Sequence, residues 1–337
     1  MKKNCNKVLF INYGGIGDEI LFLPAIEGFK KLYPNAKVTL CLEPRAKGVK
    51  GLTNVIDDII TVDIKAGGIK KYINILKLIF KTWFMGFDTV ISSGKSPFVA
   101  IILFLTGIKT KVGYKTKTSK LLNFEVPLNE NVYAGNMYFD LIKPFGEVDF
   151  KLPKINFDEN FNLPFNFGEN NFTLIHPGVS LMSVNKGIFK CPDTNFWVET
   201  IKKLLEKNEN VVLAGGPDDF ETVNKILENN EISSNPKFYS MFNKTKNLFE
   251  LTSLMNKAKT IICCDSAPFH IAAALNKEIY VLFGPTNEDK LVYKTENIKV
   301  ITKKLDCRPC LWHKRLTNCE NSACIKFQPD DLLGCMK

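Results

Sequence analysis

Four short turns carry the residues of this sequence best suited to chemistry. They are Gly14-Gly15-Ile16-Gly17-Asp18, His176-Pro177-Gly178, Gly215-Gly216-Pro217 and Asp265-Ser266-Ala267-Pro268, each following a short apolar run. Glycine lets a backbone approach a ligand closely, and the free N–H groups of a helix that opens after such a turn hold anions. Recognition of phosphate is therefore the chemistry they suggest. Asp18 reads in two ways, as a first-turn residue that stabilises its helix or as a carboxylate base. A second set is Cys307, Cys310, Cys319 and Cys324. Four sulfurs at this spacing suit a tetrahedral zinc or iron site with a structural role, and His313 would be a spare ligand. A redox pair is the alternative. The other six cysteines have no ligand spacing and read as small apolar fillers.

The elements that must position these residues alternate. Apolar strands are expected at KVLFI, KVTLCLE, Val55 to Val62, FDTVISS, NFTLIH, NVVLA, TIICC and EIYVLF. Helical spacing covers Asp18 to Tyr33, Lys70 to Phe84, Thr194 to Lys207, Asp218 to Asn229, Leu248 to Lys257 and Pro268 to Leu275. This rhythm predicts α/β domains with parallel sheets. Residues 145–171, rich in Asn, Pro, Gly and Phe, read as a linker with one or two short strands. The expectation is a domain over 1–150 and another over 151–337 with a Cys-rich loop at 305–326, two Rossmann-like domains facing an interdomain cleft. A dinucleotide G-x-G-x-x-G would need glycine where Ile20 stands, and no G-x-x-x-x-G-K-[ST] run occurs.

The 337 residues hold 45 Lys+Arg against 35 Asp+Glu, a net charge of +10. Residues 65–120 alone contain 11 lysines and one acid, Asp88. Such a field attracts nucleic acid, an anionic lipid surface or a phosphorylated substrate. The apolar stretch Pro97 to Ile108 is shorter than the roughly 20 residues a bilayer span needs and reads as a buried helix. The N-terminal apolar run is too short for a secretory signal, so a cytoplasmic location is expected.

The stretch GGIGDEILFLPAIEGFKKLYPNAKVTL, followed in order by LIHPGVS, VVLAGGPDD, DSAPFHIAAALNKEIYVLFGPT and CRPC, resembles the glycosyltransferase family 9 heptosyltransferases. The resemblance spans roughly residues 7–330 and implies the GT-B architecture and inverting transfer of heptose from an ADP-sugar to the lipid A–Kdo core of lipopolysaccharide. It implies that Asp18 is the base. It implies donor contacts from Ser180, Lys190, Gly215, Gly216, Asp265, Ser266, Ala267 and His270. Gly15 and Gly17 would meet the acceptor with Lys109, Lys111, Lys115 and Lys117, at the inner face of the cytoplasmic membrane. It implies no catalytic cofactor, with the four cysteines holding structural zinc or iron. Three positions depart from the family. Ala267 replaces a glycine, Phe189 stands where lysine is usual, and Cys191 replaces a tryptophan before Pro192, so Lys190 or Lys186 must supply the cation. A protein acceptor or another nucleotide sugar is the alternative within the fold. A noncatalytic protein binding nucleic acid or a partner is the alternative outside it, and the chain lacks the aromatic platform and zinc-finger spacing that nucleic-acid binding would need.

Overall fold

A computed structural model describes residues 5–311, 319 and 321–336. The chain divides into two compact units, residues 1–156 and 157–337.

The first unit contains β1 (Lys7–Ile11), β2 (Lys37–Leu42), β3 (Asp58–Thr61), β4 (Thr89–Ser92), β5 (Thr110–Tyr114) and β6 (Phe124–Val126). Their order in the sheet is β3-β2-β1-β4-β5-β6, and every neighbouring pair is parallel. The second unit contains β7 (Thr173–His176), β8 (Val211–Leu213), β9 (Phe238–Ser240), β10 (Thr260–Cys264), β11 (Glu278–Phe283) and β12 (Ile298–Thr302). Its order, β12-β11-β10-β7-β8-β9, is the same doubly wound order, again parallel throughout. The central strands β1, β4, β7 and β10 are almost wholly buried, as parallel strands covered on both faces must be. The core of the second unit packs Trp197, Ile201 and Leu204 of the Thr194–Glu206 helix on Leu213, Ile262 and Leu282. In the first unit Leu9, Ile11, Cys41 and Val90 face Leu78 and Leu103.

Chain order reverses between β1 and β4, and between β7 and β10. Ligands of open α/β sheets bind beyond the carboxyl ends of the strands at such switch points. The Gly14–Asp18 turn leaves β1 and the Asp265–Pro268 turn leaves β10, so each unit places one sequence-predicted turn there.

Three sequence expectations are corrected. The 145–171 segment contains no strand. Its phenylalanines hold it as coil: Phe150 packs edge-on against Tyr133 and Phe139, and Phe165 against Phe172 and Tyr239. The third strand is only Asp58–Thr61, shorter at both ends than the Val55 to Val62 expectation. The Pro97–Leu105 helix is not buried. Only Ala100 and Leu103 are enclosed, while Phe98, Phe104 and Leu105 face outward.

Candidate active site

In the first unit, Gly15 caps the Ile16–Leu32 helix with extended backbone, and its N–H donates to Asp18 Oδ2 at 2.8 Å. A side chain at Gly14 would overlap Asp18, so that glycine is required for the aspartate to fold back. Asp18 is half-buried, and its Oδ1 has no hydrogen-bond partner among the described residues. One oxygen thus caps the helix, and the other is left without a partner among the described residues.

Sequence reasoning missed the neighbour. Glu19 is fully buried and takes the Gly14 N–H on Oε1, while its Oε2 has no partner. Burial pushes its carboxyl well above the ordinary range, Asp18 adds to this, and the Asn12 amide opposes it. Asn12 in turn accepts from Ser93 at the end of β4. Glu43, also buried, is raised by burial and Asp63 against the pull of Lys65 and Arg45. The only signal in the sequence was the acidic pair Asp18-Glu19 opening a helix, which resembles ordinary first-turn acids.

The four lysines expected at the acceptor are divided along β5. Lys109 and Lys111 lie at its start, where Lys111 Nζ donates to the Ile108 carbonyl at 2.8 Å and burial lowers its pKa. Lys115 and Lys117 follow its carboxyl end, and Lys115 pairs with Glu125 at 3.4 Å.

In the second unit Asp265 is buried at the end of β10. It accepts Lys190 Nζ at 2.8 Å and Thr286 Oγ1 at 2.6 Å. Burial alone would raise its carboxyl, but Lys190, Thr286 and His270 outweigh it and hold it below the usual value. Between the two lysines, then, it is Lys190 that reaches this turn, while Lys186 is exposed. Ser266 caps the Ala267–Ala274 helix in extended conformation, and Ala267 is not among the positive-φ residues, so the missing glycine brings no strain. Pro268 sits in the first turn, where its missing N–H is not needed. His270 is buried with its ring 4.9 Å from that of Phe269. Cys191 donates to the Pro177 carbonyl at 2.6 Å.

Ser180 precedes the short Leu181–Val184 helix and is half-buried. Gly215 and Gly216 follow β8, and the Gly216 N–H donates to Asp219 Oδ2 at 2.7 Å, repeating the Gly15–Asp18 cap. His176 Nε2 lies 3.7 Å from Asp219 Oδ2, and burial lowers the imidazole pKa against the pull of that carboxylate. His176 was named with its turn in the sequence, but its approach to Asp219 was not read there.

The expected tetrahedral cysteine set is not formed. No group of three His, Cys, Asp or Glu arranged for a metal occurs among the described residues, and His313 lies outside them. Cys307 and Cys319 are exposed and Cys324 is buried. The sulfurs nevertheless share a neighbourhood. Burial raises the Cys310 and Cys324 thiols, and the other members of the set raise them further. Arg308 holds the segment in place through the Gly284 carbonyl at 2.6 Å and Glu288 at 2.9 Å.

Two parallel six-stranded sheets of this order, each with polar turns at its switch point, form the GT-B fold of glycosyltransferases. The glycosyltransferase family 9 (heptosyltransferase) profile matches residues 80–320, and the chain belongs to that family. It is 28% identical over 295 residues to lipopolysaccharide heptosyltransferase 3 of Escherichia coli, covering 80% of this chain and 81% of that one. Its fold is similar to that of E. coli ADP-heptose LPS heptosyltransferase II, with a TM-score of 0.74 at 19% identity over 97% of this chain and 96% of the other. It is also similar to the dodecameric iron-containing heptosyltransferase TibC of enterotoxigenic E. coli, solved with ADP-D-β-D-heptose. There the TM-score is 0.61 at 12% identity, over 98% of this chain and 75% of that one.

Proposed function

We propose that this heptosyltransferase moves a heptose from ADP-heptose to a hydroxyl of a lipid A–Kdo type core, with inversion at the anomeric carbon. Asp18 takes the proton of the acceptor hydroxyl, whose oxygen bonds to the anomeric carbon as the carbon–diphosphate bond breaks. ADP departs with the electron pair of that bond. The Ala267 N–H at the helix start and the Lys190 ammonium meet the growing negative charge. Asp265 and Thr286 orient Lys190, Ser180, Gly215 and Gly216 hold the donor's remaining polar groups, and Ser266 and His270 shape the turn. The Gly15 and Gly17 backbone and the lysines at the end of β5 contact the acceptor. The reading places the protein in the cytoplasm against the inner membrane face.

The observations that carry it, in a family 9 chain, are a half-buried aspartate with one unused oxygen in the first unit and, in the second, a buried aspartate held by Lys190 beside a helix start. The lipopolysaccharide relative and the ADP-heptose complex of TibC support the acceptor and donor classes. Iron in TibC supports a metal at Cys307, Cys310, Cys319 and Cys324, which would pin the loop and take no part in the transfer. The Phe189 and Cys191 departures favour, as a second reading, a different nucleotide sugar. Asp18→Asn tests the base, because asparagine still accepts the Gly15 N–H and preserves the cap. Turnover should fall by about 10²–10⁴-fold with the fold intact. Near-wild-type turnover would end the assignment. Mass spectrometry of products from a panel of nucleotide sugars separates the two donor readings.

A further inference from the structure

The outward side of two neighbouring helices in the first unit is apolar where solvent-facing surface is ordinarily polar. On the Ile69–Met85 helix, Ile75, Leu78, Ile79 and Thr82 face the core. Ile69, Tyr72, Ile73, Leu76, Phe80, Trp83 and Phe84 are all exposed, Phe84 by 78%. At about 100° per residue these seven fill one continuous stripe about 120° wide, adjoining the buried one. Lys70, Lys77 and Lys81 form a row along one edge of that stripe. The Pro97–Leu105 helix adds exposed Phe98, Phe104 and Leu105, and Trp83 Nε1 donates to the Leu105 carbonyl at 3.0 Å, joining the two surfaces. Behind them an apolar cavity of about 310 Å³, lined by Tyr72, Ile75, Phe98, Ile102 and Tyr13 among others, extends the apolar surface to the residue preceding Gly14.

The charge around this face has one sign. Lys70, Lys71, Lys77 and Lys81 make no ion pair among the described residues. The single acid of the region, Asp88, turns its carboxylate inward to the Asn6 and Lys7 N–H groups. A stripe of aromatic and aliphatic side chains with tryptophan and tyrosine, edged by free lysines and no acids, matches the boundary between headgroups and acyl chains of an anionic bilayer. No helix among the described residues is long and apolar enough to cross a membrane, so the face would lie in the interface plane.

We propose that this helix pair is a bilayer-docking surface, with the Leu76, Phe80, Trp83 and Phe84 side chains entering the acyl boundary and Lys70, Lys77 and Lys81 meeting anionic headgroups. The proposal sharpens the peripheral placement above but does not depend on the sugar or the acceptor. Flotation of the full chain with vesicles lacking both substrates tests it separately. With phosphatidylethanolamine and phosphatidylglycerol vesicles the protein should float, and Trp83 emission should shift to the blue and be quenched by brominated acyl chains. Trp83→Phe should remove that response while flotation persists. Leu76→Ser/Phe80→Ser/Phe84→Ser should lower the vesicle-bound fraction at least tenfold with unchanged far-UV dichroism, since none of the three supports the core. Lys70→Gln/Lys77→Gln/Lys81→Gln should abolish the preference for phosphatidylglycerol over neutral phosphatidylcholine. Wild-type-like flotation of the serine variant, or Trp83 emission indifferent to the vesicles, would overturn the proposal. So would a wild-type dimer that ignores vesicles and becomes a monomer in the serine variant, because the face would then cover a second copy.

Discussion

Replacing Lys190 with methionine should cost the second unit about 3–5 kcal/mol at neutral pH. The substitution keeps most of the apolar stem and removes the ammonium 2.8 Å from Asp265. It leaves a carboxylate 3% exposed with Thr286 Oγ1 still donating and His270 close by but without its ammonium partner, and removing one partner of a buried ion pair in this way costs that amount. In the native protein the Asp265 carboxyl lies below its ordinary value. Its contribution is therefore complete above about pH 4 and is lost as pH falls through the lowered value. In the variant burial acts with far less opposition, and the folded state holds the proton more tightly than the unfolded one. Stability should then fall as pH rises above about 4, so the two curves converge in acid and separate toward neutrality. Urea unfolding from about pH 5 to about pH 8, followed by the fluorescence of the fully buried Trp197 in a Trp83→Phe/Trp312→Phe background, reads this directly. Adding Asp265→Asn should restore most of the loss, because it removes the stranded charge. If Lys190 also meets the diphosphate, the donor KM stays raised in that stable double variant. A Lys190→Met protein within about 1 kcal/mol of wild type at pH 7, with an unchanged pH slope, would refute the reasoning.

Other consequences are equally accessible. Glu19→Gln should make the first unit more stable above about pH 5, because the native carboxyl, raised by burial, loses about 1.4 kcal/mol for each unit of pH it must be held above its unfolded value. Melting temperatures that follow pH identically in both proteins would show that Glu19 is already ionised in the fold. A methyl group at Gly178 would overlap the Asp219 carboxylate and break the Gly216 cap. Gly178→Ala should cost about 2–4 kcal/mol, from the cap and from overpacking, in denaturant unfolding. Gly216→Ala meets open space, so it should leave stability nearly unchanged and act on donor KM alone. Metal analysis of purified protein should find zinc or iron that Cys307→Ser loses. Equal content in both would remove the cysteine site.

Much of the scaffold was legible because its physical signals are local. The strands with long apolar runs and the glycine turns after them stand where periodicity placed them. β5, β6, β9 and β12 were not read. β5 carries Lys111 and Gly113, and β9 is only three residues long, so neither presents a run that outweighs its surroundings. The Pro97–Leu105 helix shows the opposite failure. PFVAIILFL is apolar all round, so its period cannot say which face is enclosed. Asp18 and the Asp265 turn could be found through glycine and helix-start chemistry. Glu19 and the His176–Asp219 contact could not, because burial rather than residue type makes them unusual, and burial depends on contacts distant in sequence. Gly15–Asp18 and Gly216–Asp219 make the same cap at 2.8 and 2.7 Å, which is why the cap geometry alone does not separate a base from a helix stop.

The repeated strand order also bears on how the chain reaches its native state. Two all-parallel sheets with similar edges in one polypeptide invite strands to join the wrong partner when both are unfolded together. Synthesis removes that hazard. The first sheet is complete in sequence at Val126 and its unit at Asn156, before Thr173 opens the second sheet. At about 5–20 residues per second, the rest of the chain takes roughly ten seconds or more to emerge. The ribosome thus sorts twelve similar strands into two sheets by the time at which each becomes available.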